Sequence, residues 1–158
     1  MEVSQIIGQV LAPTIMISAC GLMLLGLQNK YSNIIDRIRA LNDERRKLKG
    51  ISLDEIKRKR RDSIEQQIPR LLDRAKLEKN AILYMYVGVL FFVLTSVFIG
   101  IDILFRTYIN LESLTSALFM VGLACVFIAA VNAYLEIRKA YDIVLIEVEE
   151  LNLQKDED

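Results

Sequence analysis

Residues 28–80 read QNKYSNIIDRIRALNDERRKLKGISLDEIKRKRRDSIEQQIPRLLDRAKLEKN, and this stretch decides the fold. It carries 16 of the 20 Lys and Arg. The apolar runs around it are too long for a soluble fold: no charge occurs over residues 3–29, 80–101 or 113–135. A helix needs about 20 apolar residues to cross the hydrocarbon core. Each run reaches that length. The pattern therefore predicts an all-α integral membrane protein with three transmembrane helices, over residues 6–27, 81–101 and 113–135. The chain has 158 residues, 53% hydrophobic and 25% charged, which suits a single membrane domain with the two kinds segregated along the chain.

Inside the charged stretch the apolar period is helical. Ile34, Ile38, Leu41 and Leu48 are spaced 4, 3 and 7, and Ile64, Ile68, Leu71 and Ala75 are spaced 4, 3 and 4. Two such heptad-like stripes predict an antiparallel helical hairpin over residues 29–80. Lys47, Lys49 and Gly50 suit a helix C-terminus, and Ser52 with Glu55 has capping-box spacing, so the expected turn is Gly50–Ser52. Pro69 is expected to kink or split the second helix. After the third span Tyr134, Tyr141, Val144, Val148 and Leu151 keep spacings of 7, 3, 4 and 3, which predicts a C-terminal helix over 136–153. The hairpin and this helix together predict a coiled-coil-like stalk.

Lys and Arg mark the cytoplasmic side of a membrane protein. Arg106 alone lies between spans two and three, whereas Arg138, Lys139 and Lys155 follow span three. With the N-terminus outside and the C-terminus in the cytoplasm, 19 of 20 cations fall on one side. Glu2 is the only charge ahead of the first run. There is no basic leader, so that run reads as a retained span and not a signal peptide. Tyr84 and Tyr86 at one end of span two, with Phe105 and Tyr108 beyond the other, form the expected aromatic belts. Asp102 and Arg106 are spaced to pair, and Asn110 is the expected cap of span three.

Span one is the most polar, with Gln5, Gln9, Thr14, Ser18 and Pro13, and small residues recur in it as Gly8, Ala12, Ala19, Gly21 and Gly26. A small-residue face in lipid normally packs on protein. The sharper reading turns Gln5, Gln9, Thr14 and Ser18 toward a wet path. Span three carries Gly122, Cys125, Ala129 and Ala133 at spacings of 3, 4 and 4, a helix-packing face. Cys20 and Cys125 lie inside spans and read as packing residues. The chain has no histidine, no Gly-rich phosphate loop and no metal-ligand spacing, and its serines and cysteines lack a base partner. No enzyme, catalytic residue, metal or cofactor is expected. No carboxylate falls inside a span, which speaks against ion-coupled transport.

The basic run Lys57, Arg58, Lys59, Arg60 and Arg61 lies some 20 residues ahead of span two, about 30 Å along a helix. That exceeds the screening length of about 8 Å, so the run is a poor lipid-headgroup patch. It also lacks the aromatic interleaving of a nucleic-acid site. A solvated helix face is the plain reading. The sharper one pairs it with the acidic tail at Glu147, Glu149 and Glu150.

At Leu11–Pro13, Ile17–Gly21 and Leu27–Tyr31, leading into Ile34–Arg39, the chain resembles a bacterial membrane-protein family named domain of unknown function 2721. The likeness continues at Arg70–Leu72, Asn80–Ile82 and Leu94–Ser96. It covers most of the chain except the tail, and Ser18–Gly21 followed by Ile34–Arg39 is its most specific part. The resemblance implies a prokaryotic integral membrane protein and brings no catalytic residues. Small-residue faces on two spans and stripes on three cytoplasmic helices exceed what one three-helix bundle can cover, so a homo-oligomer is expected. Two functions fit: a scaffold or assembly protein acting through its cytoplasmic helices, with a protein partner there, or an oligomeric channel lined by span one. The bacterial inner membrane is the expected location and the bilayer the first partner.

Overall fold

The chain forms three helices, α1 (Val3–Leu48), α2 (Glu55–Phe105) and α3 (Leu111–Lys155). The structure is a computed structural model; it describes the backbone of residues 3–48, 55–105 and 111–155, and the side chains of 8–48, 57, 58, 60–103 and 112–141. Every described residue is helical. All three helices are long and apolar enough to cross a membrane, within Gly8–Leu48, Arg60–Ile103 and Glu112–Tyr141. They have 46, 51 and 45 residues, so each continues well beyond the roughly 20 that a bilayer core requires. Nothing in the sequence where the apolar runs meet the charged segments, near residues 28–30, 79–81 and 135–137, breaks a helix, and the helices run on through all three.

Both prolines sit inside helices without dividing them. Pro69 is exposed, so water can serve the Glu65 carbonyl that has lost its helical donor. Pro13 is buried and removes the donor for the Gln9 carbonyl. The Thr14 hydroxyl does not replace it, because Thr14 Oγ1 donates to the Val10 carbonyl at 2.8 Å.

The chain divides into two compact units, residues 1–28 with 80–131, and residues 29–79 with 132–158. In the first unit α2 supplies a continuous buried seam of Ala81, Met85, Gly88, Phe92, Thr95 and Ile99, spaced 4, 3, 4, 3 and 4. From α1 Pro13, Cys20, Leu24 and Leu27 turn inward, and from α3 Gly122 and Ala129. The Phe92 and Phe119 rings meet at 5.4 Å between centroids, tilted by 51°. Near the other end Gln28 Nε2 donates to the Tyr86 hydroxyl at 2.6 Å.

The close approach of α2 and α3 depends on two glycines. A Cβ on Gly88 would lie 3.2 Å from the Gly122 carbonyl oxygen and 3.0 Å from Val126 Cγ2. One on Gly122 would lie 2.9 Å from Phe92 Cε1 and 3.2 Å from Phe91 Cβ. Without side chains at this crossing the backbones come near enough for dispersion contacts that lipid tails cannot match.

In the second unit the two predicted stripes meet. Ile34, Ile38 and Leu41 of α1 form one core with Ile64, Leu71 and Ala75 of α2, and Tyr31, Ile35, Leu48 and Ile68 pack at its edge. The expected Gly50–Ser52 turn, Arg106, Tyr108 and Asn110 lie outside the described residues, as do the side chains of Phe105, Val144, Val148 and Leu151.

The glycine crossing yields a paired test. Gly122→Ala should lower the thermal unfolding temperature, at a cost of about 1–3 kcal/mol for overpacking. Gly100→Ala meets nothing within 4 Å and should leave stability unchanged or slightly raised. Equal effects of the two in melts of the purified protein would remove the close α2–α3 approach as the cause.

Candidate functional site

Four charged residues lie close to the span ends: Lys30, the first after span one, Arg74 and Glu78 ahead of span two, and Glu136, the first after span three. All four belong to the second unit. The helices bring them together. Glu136 has no exposed surface. Its Oε1 accepts from Arg74 Nε at 2.9 Å and lies 2.8 Å from Arg74 Nη2, while its Oε2 accepts from Lys30 Nζ. One carboxylate on α3 thereby receives a cation from each of the other two helices. The Arg74 side chain is 19% exposed and that of Lys30 38%, so the tie is shielded at Arg74 and half open at Lys30. Such a pair overcomes its desolvation only where the hydrogen bonds are good. Arg74 Nε and the Lys30 ammonium supply two here, with Arg74 Nη2 adding an ion-pair contact.

Glu78 is the odd member. It too has no exposed surface, and neither of its carboxylate oxygens has a hydrogen-bond partner. Burial pushes its carboxyl above the ordinary carboxylate range, and the Glu136 charge adds to that; Lys30 and Arg74 pull the other way but are spent on Glu136. In formal charge the two carboxylates and two cations of the cluster balance.

The residues singled out from sequence take these places. Gln9 lines a cavity in the first unit together with Pro13. Thr14 and Ser18 are exposed, and Ser18 Oγ donates to the Thr14 carbonyl at 3.2 Å. At 3.6 residues per turn Gln9 and Ser18 lie about 180° apart on the helix, so the polar residues of span one do not share one face. The Gln5 side chain lies outside the described residues. Gly122 and Cys125 meet Gly88, Ala129 is buried and Ala133 is half-buried.

In the basic run Arg60 forks onto Glu44 of α1 at 2.8 and 3.2 Å, and its guanidinium holds the Glu44 carboxyl below the usual range. Arg61 pairs with Glu65 at 3.3 Å on its own helix. Lys57 is half-buried and Arg58 exposed. The side chains of Lys59, Glu147, Glu149 and Glu150 lie outside the described residues.

Sequence reasoning had looked for ionisable groups inside the spans and missed those buried just past their ends. The signal was available: Lys30 and Glu136, the first charges after spans one and three, are of opposite sign.

The family described as Protein of unknown function (DUF2721) matches residues 10–146. No curated protein and no solved structure matches the chain.

Two substitutions separate the carboxylates. Glu136→Gln strands the shielded Arg74 and should cost on the order of 3 kcal/mol. Glu78→Gln should act with the opposite sign. The folded-state value of Glu78 is raised above its ordinary 4.5, so its contribution is fully present below that pH and is lost as pH rises through the folded value. The Gln variant has no such loss. It should match wild type in acid and become the more stable of the two as pH rises. Parallel stability–pH profiles would show that Glu78 is not held protonated by the fold.

Proposed function

The chain belongs to this family of unknown function, and on that premise we propose that it is a non-enzymatic, self-associating protein of the bacterial cytoplasmic membrane that serves as a scaffold. In this reading the N-terminus is outside and the C-terminus in the cytoplasm, as the segregation of Lys and Arg favours. The cytoplasmic helices form a coiled-coil-like stalk that docks a protein partner.

One observation carries the self-association. Within the membrane α1 has a second seam besides its buried one. Leu11, Thr14, Ser18, Gly21 and Leu25 recur at spacings of 3, 4, 3 and 4, and all are exposed. A Cβ on Gly21 would meet nothing within 4 Å. A seam of small residues bounded by leucines is how membrane helices present themselves to other helices, because lipid tails pack on it poorly. A second copy supplies the matching surface by symmetry.

The same seam supports a pore as the second reading, with Thr14 and Ser18 around an axis. The scaffold fits better. Both hydroxyl protons are spent on the carbonyls of their own helix, which leaves a permeant species few donors.

Class averages of the protein in nanodiscs, viewed down the membrane normal, test both. The expected view is a closed assembly of two or more copies joined along α1, which Gly21→Leu shifts toward single copies. A ring with a lumen framed by α1 favours the pore, and single copies at every concentration end both readings.

A further inference from the structure

In the first unit a cavity of about 400 Å³ opens where α1 begins, α2 ends and α3 begins. Its size falls within the range of about 300–1,000 Å³ typical of small-molecule sites. Its lining is two-sided. Asp102 and Glu112 contribute carboxylates from the facing ends of α2 and α3, while Ile99, Phe119 and Met120 contribute apolar surface. No Lys or Arg is among the described residues that line it; Arg106, the expected partner of Asp102, lies outside them.

Gln9, Ala12 and Pro13 border the same cavity. Next to hydrocarbon, carboxylates gain most from a cation that also donates hydrogen bonds. An anion would meet two like charges. A bare metal ion would leave most of this volume empty, and no group of three metal-ligating side chains occurs among the described residues.

We propose that this cavity binds an amphipathic cation, with an amine or ammonium head between Asp102 and Glu112 and an apolar body against Ile99, Phe119 and Met120. The head could belong to a free cationic amphiphile or to an ethanolamine lipid, since both offer the same ammonium. The site is independent of the scaffold reading, because it is complete within one copy.

The test is equilibrium dialysis of hexylammonium, whose N–H groups phosphatidylcholine lacks, against the full chain in phosphatidylcholine nanodiscs, with empty nanodiscs subtracted. Wild type should bind saturably, at one site per chain. Asp102→Asn with Glu112→Gln should weaken binding about tenfold or more, equal to about 1.4 kcal/mol. Ala12→Phe, which adds bulk to the wall while keeping both carboxylates, should abolish it. Hexanoate should not bind. Competition by phosphatidylethanolamine assigns the site to a lipid headgroup, and its absence assigns it to a free cation. Binding no greater than to empty nanodiscs, equal binding of hexanoate, or wild-type affinity in the folded double variant or in Ala12→Phe would each overturn the proposal.

Discussion

Hydrocarbon offers no hydrogen-bond partner, so a chain that crosses it must satisfy its backbone internally, and here it does so by helix alone. That constraint makes the three apolar runs into helices. Because nothing at their ends stops a helix, it also carries them on into the charged segments. Once the elements are helices, packing selects among their faces. The first unit relies on close approach, with Gly88 and Gly122 letting α2 and α3 come together where larger residues would hold them apart. The second uses the ordinary hydrophobic effect, through the core of Ile34, Ile38, Leu41, Ile64, Leu71 and Ala75.

Electrostatics adds to apolar packing. Among the described side chains, the isoleucine and leucine core is made by α1 and α2. Glu136 ties α3 to the same unit by accepting from Lys30 and Arg74. A carboxylate buried with two cations specifies register more sharply than an apolar contact, since a slip of one residue would strand three charges. Glu78 lies in the same enclosure without a partner, and a buried group of that kind reduces stability by itself.

The features nearest to function are of different kinds. The outward seam of α1 is a surface that wants a helix. The cavity at the far end of the spans is a container with two carboxylates at its rim. The ionic cluster is a clamp with a titratable member. The seam and the cavity are the features on which the proposed self-association and ligand binding rest.

The sequence by itself determined the class of the molecule. The length of three charge-free runs compels three membrane-crossing helices, and the stripe at Ile34–Leu41 with that at Ile64–Ala75 identifies which faces of the charged hairpin meet. These features were legible because periodicity and hydropathy are local properties. The family was legible too, in short motifs such as Ser18–Gly21 and Ile34–Arg39. What tertiary structure decided was the company each polar residue keeps. Gln9 and Ser18 look alike in sequence, yet the turn of the helix sends one to the cavity and leaves the other on the outward seam. Arg60 read as part of a solvated basic face, and it forks onto Glu44. Glu78 and Glu136 each read as ordinary flanking charges. They become a buried pair only when helices separated by more than fifty residues of chain converge, because burial and dielectric environment are properties of the assembled fold and not of any one segment.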